Sequence, residues 1–445
     1  MAGSRDLTQG SIPKALFSLA GPMMLGIIAI VSVSIIDTYF VAQLGTAELT
    51  ALSFTFSVSM AVTSIAIGLG AGASSVVSRA VGANNLEDAK RLTTDALVLA
   101  LLLVSTIAVI GFYCVKPLFA FLGAQANVLD LIVRYMQIWF LGLPFLVIPM
   151  VANAVLRAVG NAFWPSMIMV GSAFLNMTLT PLLIFGWGPV PAYHIEGAAY
   201  GTLAAQILTT LFVVWLVVAR EHLVVWKLPP RSELVDSWKR VLGVGIPASL
   251  GNAVNPIGVT IVIAILASYG ETTVAAFGVA GRIESLAAIP MLALSSAIGP
   301  IAGQSWGSGN AQRVIDALKH SYGVSFLWSL VLAMLLWFFA EPIVKLFSDE
   351  LSVAKEARLY LMIVPVTLWG YGCIIITAGA YNSLGKSVTG LGFYLLRTAL
   401  LYVPLTILAS LFFDSVAVYF AIALTNVLAG LLCVFISLRW LKKQL

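Results

Sequence analysis

An acidic residue interrupts an otherwise uncharged stretch near the start of the chain, in the segment SVSIIDTYFVAQLG at residues 32–45. Asp37 is the only charged residue between Lys14 and Glu48. If this stretch is a membrane helix, Asp37 lies about 12 Å below its outer end, which is too deep for a short side chain to reach water. Because an ionised, unpaired carboxylate there would cost several kcal/mol, binding a proton is the cheaper solution. We interpret Asp37 as a protonation and ion-coupling residue.

Polar residues elsewhere in the first half are expected at a similar depth. Asn176 and Thr180 stand one helical turn apart, about 15 and 9 Å below the outer end of their helix. Thr202 lies about 8 Å below the outer end of the next helix, and Tyr135 lies at a similar depth. We expect these four side chains to line a cavity of the N-terminal half with Asp37. Alternatively, the hydroxyls bond their own backbone and the asparagine joins two helices.

Three charged residues are embedded in the second half of the chain: Arg282, Glu284 and Arg397. Arg282 and Glu284 are two residues apart, so they do not face each other on a helix. Glu284 lies about 15 Å below the outer end of its helix and Arg397 about 10 Å above the inner end of another. We predict a structural ion pair between Glu284 and Arg397, with contact between Glu284 and a substrate as the alternative.

The sulfur and imidazole side chains do not have the spacing of a metal or haem site. Cys114, Cys373 and Cys433 lie far apart in apolar segments, and the three histidines lie near loops. We therefore predict no metal and no cofactor, apart from a coupling ion that is a proton or sodium. Clustered catalytic side chains are also absent, which argues against an enzyme.

The composition is that of a membrane protein. The chain is 60% hydrophobic and 10% charged, with a mean hydropathy of +1.01, whereas soluble domains are about 25% charged. Apolar runs of about 20 residues recur, and each is long enough to cross a bilayer as a helix. We predict an all-α membrane protein with twelve transmembrane helices at 15–42, 50–78, 93–113, 131–156, 164–186, 197–219, 240–268, 274–303, 318–339, 357–382, 390–411 and 415–438.

Lysine and arginine predict the orientation of these helices. With the N-terminus inside, most of the basic residues fall in inner loops and tails, and the outer side holds Lys116, Arg134, Lys345, Lys355 and Arg358. This asymmetry predicts a multi-pass protein of the plasma (inner) membrane, in contact with membrane lipids, with both termini in the cytoplasm. It also accounts for the net charge of +5 without nucleic-acid binding.

The second half of the sequence repeats the first at a shift of 225 residues. The shift pairs Pro22 with Pro247 and Gly82 with Gly307, and it holds without a gap as far as Gly160. Each copy contains an even number of helices, so the two should be related by a pseudo-twofold axis along the membrane normal. We predict an N-terminal six-helix lobe at 1–219, a cytoplasmic linker at 220–239 and a C-terminal six-helix lobe at 240–445.

Matched prolines and small residues indicate that the repeat serves transport rather than a scaffold. Pro22 and Pro247 each lie early in a helix, where the missing N–H and the ring predict a bend. The segment GLGAGASS at residues 68–75 predicts close contact between helices. Two similar bundles with bent helices suit alternating access.

Several segments, in this order on twelve helices, resemble the multidrug and toxic compound extrusion (MATE) family. They are LAGPMMLG, IIDTYFVAQLG, SRAVGANNLEDAKR, NAVLRAVGNAFWP, FLNMTLTPLLIFG, EGAAYGT and AAFGVAGRIES. The aspartate of the first helix is similar to that of the DinF-like branch, where it belongs to a cavity of the N-terminal lobe. The resemblance implies that Asn153 also lines this cavity. It further implies an antiporter that exports bulky amphiphilic or cationic drugs and toxic compounds by alternating access, driven by protons or sodium.

One departure from the family pattern bears on the coupling ion. The DinF-like branch commonly carries a second acid where this chain has Thr180. With one acid instead of two, we expect protons to be the coupling ion rather than sodium. We also expect the protein to act on small molecules as a monomer.

Four other classes of protein fit these features less well. A lipid or lipid-linked oligosaccharide flippase of related fold remains the alternative, although it should have a cationic central cavity and often extra helices. A major-facilitator transporter has a different loop pattern from RAVGANNLEDAKR. An enzyme needs clustered catalytic residues, and a channel does not need a titratable group at a single site.

Overall fold

A computed structural model describes residues 6–226, 230–345 and 350–445. Over these residues the fold is helical, with twelve helices long and apolar enough to cross a membrane, as predicted. They are α1 (Ile12–Ala42), α2 (Thr46–Gly82), α3 (Leu86–Phe121), α4 (Ala126–Ala158), α5 (Phe163–Phe185), α6 (His194–Arg220), α7 (Arg231–Ala267), α8 (Glu271–Gly307), α9 (Ala311–Lys345), α10 (Leu351–Ser383), α11 (Ser387–Phe412) and α12 (Ser415–Lys442).

The repeat extends to the ends of the helices. Shifting α2 by 225 residues superposes both of its ends on those of α8, and the same shift carries the end of α1 onto the end of α7. The turns before α2 and α8 also match, because Gly45 and Gly270 both have positive φ angles, of 150° and 115°. A residue with a side chain would be strained at either turn. The two copies therefore share turn chemistry as well as helix lengths.

The chain divides into two compact units. Of the described residues, unit 1 contains 6 and 22–249, and unit 2 contains 7–21 and 250–445. The division falls inside α1, immediately before Pro22, and inside α7, two residues after Pro247. The carbonyl of Pro22 accepts a hydrogen bond from the Ser166 hydroxyl. The predicted bends at these prolines stay predictions, as do the predicted lobe limits at residues 219 and 240.

The region predicted as a linker is partly helical. Helix α7 begins at Arg231, earlier than the apolar run predicted from residue 240. Its first turns are too charged to be read as a membrane span, so hydropathy alone missed them. Residues 227–229 of the predicted linker lie outside the described residues.

Close packing within unit 1 depends on glycines of α2. A Cβ added to Gly68 would lie 2.4 Å from the carbonyl oxygen of Gly245, and one added to Gly72 would lie 2.3 Å from that of Val241. Both contacts are shorter than van der Waals separation, so α2 and α7 approach each other backbone to backbone. The close helix contact predicted from GLGAGASS is confirmed.

Three helices of unit 2 are interrupted where the sequence predicted continuous runs. Helix α8 breaks at Ala288, two residues before Pro290, and α10 contains a 3₁₀ turn at Pro365–Thr367. Each proline lacks the N–H that would continue the helix. In α11, residues Leu396–Tyr402 form a π-helical segment that includes Arg397. Segments of this kind occur often at functional sites.

Candidate functional site

Asp37 lies in α1 with one carboxylate oxygen enclosed. The residue as a whole is partly exposed, but its Oδ1 atom is buried and has no hydrogen-bond partner among the described residues. A buried acceptor without a donor costs about 1–3 kcal/mol, and more when it is charged. The position is therefore suited to binding a proton or a cation.

A cavity of about 220 Å³ in unit 1 contains Asp37 in its wall. Four helices, α1, α4, α5 and α6, supply its lining residues. Most of the wall is apolar, including Phe145, Leu146, Met150 and Met169. Its polar residues are Asp37, Asn153, Ser172, Asn176, Thr202, Gln206 and Thr209. Asp37 is the one charged residue among those that line the cavity.

The structure brings two of the predicted cavity residues into direct contact. The Asn176 side-chain amide donates a hydrogen bond to the Thr202 hydroxyl over 3.1 Å. The Thr202 hydroxyl in turn donates to the Ala198 carbonyl over 3.0 Å. Because the Thr202 hydroxyl proton is used in the bond to Ala198, the Thr202 oxygen can only accept a hydrogen bond from Asn176. The Asn176 amide must therefore direct its NH₂ group towards Thr202. The Oδ1 atom of Asn176 is left buried and without a partner in the described part of the chain.

Two other predicted residues lie beside the cavity and do not line it. Thr180 is fully buried and packs against Gly201, where an added Cβ would lie 2.7 Å from the threonine hydroxyl. Tyr135 packs against a cluster formed by Val41, Ile184 and Ala198. Within this cluster, Val41 lies one turn of α1 after Asp37. A depth estimate gives the position along each helix but not the direction of the side chain, so it could not separate these two from the lining.

Asn153 lines the cavity, as the family resemblance implies. It is 7% exposed, and its Oδ1 atom has no partner among the residues described. Gln206, Thr209 and Ser172 also line the cavity and were not predicted. Gln206 could have been predicted from the sequence, because it follows Thr202 by four residues and so lies on the same face of α6.

In unit 2, Arg397 has neutral partners. Its Nη1 atom donates to Asn255 Oδ1 over 2.8 Å, and its Nε and Nη2 atoms donate to Asn426 Oδ1 over 3.2 and 3.0 Å. Its guanidinium carbon lies 4.2 Å from the ring centroid of Tyr371 and 5.0 Å from that of Tyr402. Both distances are within the range of a cation–π interaction.

The direct ion pair predicted between Glu284 and Arg397 is not formed. Glu284 instead accepts a hydrogen bond of 2.5 Å from the Tyr360 hydroxyl, and none of its described contacts is an ion pair. The prediction considered only charged partners, whereas tyrosine and asparagine side chains satisfy the two groups separately. Arg282 is exposed on α8. Within the ranges described, no group of three or more histidine, cysteine or acidic residues could hold a metal ion.

Comparison with known proteins identifies the family. The MatE family model matches residues 22–182 and 247–408, one match in each copy of the repeat. The chain is 35% identical over 439 residues to a protein of Shewanella oneidensis named FAD transporter, covering 99% of this chain and 97% of the other. It is 27% identical over 406 residues to the probable multidrug resistance protein YpnP of Bacillus subtilis, covering 91% and 90% of the two chains.

Solved structures agree with this assignment. The Vibrio cholerae MATE transporter VcmN in its bent form superposes with a TM-score of 0.91 at 27% identity, over 99% of this chain and 100% of the other. A MOP superfamily transporter from Pyrococcus furiosus superposes with a TM-score of 0.91 at 26% identity, over 99% and 98% of the two chains. The predicted fold of two six-helix bundles is confirmed, and these relatives are transporters rather than enzymes. The chain belongs to the MATE family of membrane transporters.

Proposed function

We propose that this transporter exports bulky amphiphilic or cationic compounds in exchange for protons, with Asp37 carrying the proton. The observation that supports this most strongly is the enclosed Oδ1 atom of Asp37 in an otherwise uncharged cavity wall. A carboxylate in that position is stabilised either by a proton or by a cationic group of the substrate. Because the two compete for one site, binding of substrate is coupled to release of the proton.

Protons are favoured over sodium by the charge of the site. The cavity wall contributes one formal negative charge and otherwise amide and hydroxyl oxygens. Thr180, at the position of the family's second acid, is neutral and lies outside the wall. A bare sodium ion prefers several oxygen ligands, some of them negatively charged, whereas a proton needs only one carboxylate.

The apolar lining supports amphiphilic substrates. Phenylalanine, leucine, proline and methionine side chains surround the polar patch that includes Asp37 and Asn176. Such a wall binds by contact area and by shape, and flexible methionines adapt to different shapes. A compound with a planar apolar body and one cationic group would satisfy both parts of the wall.

A second candidate substrate is a flavin nucleotide. The relative named FAD transporter shares 35% identity with this chain over nearly its full length. FAD also has a large planar ring with several hydrogen-bonding groups, which suits an apolar cavity that contains amide side chains such as Asn153 and Gln206. Unlike a cationic drug, FAD carries negative charge on its phosphates, so the two candidates can be separated experimentally.

We further propose that the protein resides in the plasma (inner) membrane as a monomer, with both termini in the cytoplasm. The support for this orientation is the concentration of lysine and arginine in the loops on one side of the twelve helices.

Purified protein in proteoliposomes tests the proposal. Proton and sodium gradients are imposed separately, and uptake of ethidium and of FAD is measured under each gradient. We expect an inside-acid proton gradient to drive uptake and a sodium gradient alone to have no effect. Uptake driven by sodium after an uncoupler has collapsed the proton gradient would contradict proton coupling. Uptake of FAD but not of ethidium would favour the second candidate.

A further inference from the structure

The arginine of α11 occupies a buried site in unit 2 that we name the arginine site: Arg397, Asn255, Asn426, Tyr371 and Tyr402. Arg397 is 4% exposed. The two asparagines hold its guanidinium by their side-chain oxygens, and the tyrosine rings lie within 4.2 and 5.0 Å of it. Four helices contribute to this arrangement: α7, α10, α11 and α12.

The described hydrogen bonds do not use all the donors of Arg397. Its Nε–H and one N–H of Nη2 reach Asn426, and one N–H of Nη1 reaches Asn255. One N–H therefore remains on Nη1 and another on Nη2. An arginine with two uncommitted N–H groups can donate them to the oxygens of a carboxylate or phosphate.

No carboxylate in the described parts of unit 2 neutralises Arg397 by direct contact. Glu284 is the acid that acts on it electrostatically, but its oxygen is bonded to the Tyr360 hydroxyl and it makes no ion pair with Arg397. Asparagine and tyrosine partners orient the guanidinium without cancelling its charge. A buried cation without an anion in direct contact is stabilised further when an anion binds it.

The internal repeat supplies an independent observation. The shift of 225 residues places Asn255, Tyr371 and Arg397 at the positions of Ile30, Leu146 and Ser172. All three of these residues line the cavity of unit 1. Three of the five residues of the arginine site thus match lining residues of the cavity, whereas Asn426 and Tyr402 match Gly201 and Met177, which do not line it. The corresponding places carry opposite charge, because unit 1 has Asp37 in its wall and unit 2 has Arg397.

We propose that the arginine site binds an oxyanion, a phosphate or carboxylate group of a transported compound. The N–H groups of Arg397 that are not used by Asn255 and Asn426 would donate to oxygens of that group. This inference rests on the proposed export function in one respect, namely that the ligand is a transported compound. Binding of the anion itself can be measured without any gradient.

The test compares FAD with riboflavin, which has the same ring system without phosphate. Dissociation constants are measured by calorimetry on the full-length protein in nanodiscs. The key variant is Asn255→Asp, which has nearly the same shape and places a carboxylate against Nη1 of Arg397. In the wild-type protein we expect FAD to bind more tightly than riboflavin. In Asn255→Asp we expect FAD to lose about tenfold or more in affinity, while riboflavin affinity is unchanged.

Two further variants control this experiment. Gln125→Glu makes the same change of amide to carboxylate at an exposed loop position and should leave both affinities unchanged. Arg397→Gln should remove the preference for FAD, and if it fails to fold, Asn255→Asp still decides the question. Sodium pyrophosphate and sodium benzoate, added as competitors of FAD, distinguish a phosphate site from a carboxylate site.

The proposal is overturned if FAD and riboflavin bind equally to the wild-type protein, if Asn255→Asp weakens both alike, or if neither competitor displaces FAD. Failure of proton coupling is a separate outcome, since it would alter gradient-driven transport and leave these affinities intact.

Discussion

At the scale of single residues, the described part of unit 1 contains several buried side-chain oxygens without a hydrogen-bond partner. Asp37, Asn153, Asn176 and Thr180 each have a buried side-chain oxygen without a partner in the described structure. Thr202 differs from them, because its hydroxyl both donates and accepts. Buried polar atoms usually find partners, so a group of unsatisfied oxygens indicates a place where a proton or a cationic group binds.

Replacing Thr202 with valine should destabilise the protein. Valine keeps the shape of the side chain but removes the acceptor of the Asn176 amide, so that a buried N–H is left without a partner. We expect a loss of about 1–3 kcal/mol of stability, measured by thermal unfolding in detergent. Thr202→Ser keeps the hydroxyl and should retain most of the wild-type stability.

The matched control is Thr178→Val. The Thr178 hydroxyl lies on an exposed face of α5 and bonds to the Phe174 carbonyl of its own helix, so its loss should be nearly neutral. Equal melting temperatures for Thr202→Val and the wild type would show that the contact between Asn176 and Thr202 contributes nothing.

Restoring the second acid should change the response to ions. Thr180→Asp adds a carboxylate one turn from Asn176, and two nearby carboxylates resist being ionised together. We expect transport to gain sodium sensitivity and its pH optimum to move upward, measured as efflux against pH with and without sodium. If the pH and sodium profiles of Thr180→Asp match those of the wild type, residue 180 lies outside the Asp37 site. Thr180 is not among the residues that line the cavity, and this position would explain such a result.

At the scale of helices, small residues determine how closely α2 approaches its neighbours. Gly68→Ala would bring a methyl group within 2.4 Å of the Gly245 carbonyl oxygen, a backbone atom that cannot move aside. We expect overpacking of this kind to cost about 1–3 kcal/mol of stability in a thermal unfolding assay.

Gly171→Ala is the matched control, because its Cβ would meet nothing within 4 Å. Alanine should be neutral there, or stabilising by about 1 kcal/mol through helix propensity. If both variants melt at the same temperature, close packing of α2 against α7 does not limit stability.

The sequence predicted helices well and side-chain directions poorly, for a physical reason. The length of an apolar run and the internal repeat can both be read directly from the sequence. The twelve helices and the close contact at GLGAGASS could therefore be predicted. The π segment around Arg397, the break at Ala288 and the partners of Glu284 depend on tertiary packing. For the same reason Thr180 and Tyr135, which the depth estimate grouped with Asp37, lie beside the cavity and not in its wall.

At the scale of the whole molecule, the basic residues predict which ends of the helices face the cytoplasm. This can be tested with a membrane-impermeant maleimide in a background of Cys114→Ala, since Cys114 is exposed whereas Cys373 and Cys433 are buried. We expect Gln125→Cys, in the loop before α4, to be labelled in intact cells. We expect Gln444→Cys, at the C-terminus, to be labelled only after permeabilisation. The reverse pattern would invert the orientation.

The most direct test of proton coupling is to compare the wild type with Asp37→Asn in proteoliposomes, with ethidium as the transported probe. Asparagine keeps the size of the side chain but cannot exchange a proton. We predict that an inside-acid gradient drives ethidium uptake by the wild type, whereas uptake by Asp37→Asn falls to the level of empty liposomes. Binding of ethidium to the purified variant should weaken, because the carboxylate that faces the cationic group is lost, and it should no longer depend on pH. An unchanged melting temperature would separate this loss of coupling from misfolding. Gradient-driven uptake by Asp37→Asn at the wild-type rate would contradict the proposal that Asp37 carries the proton.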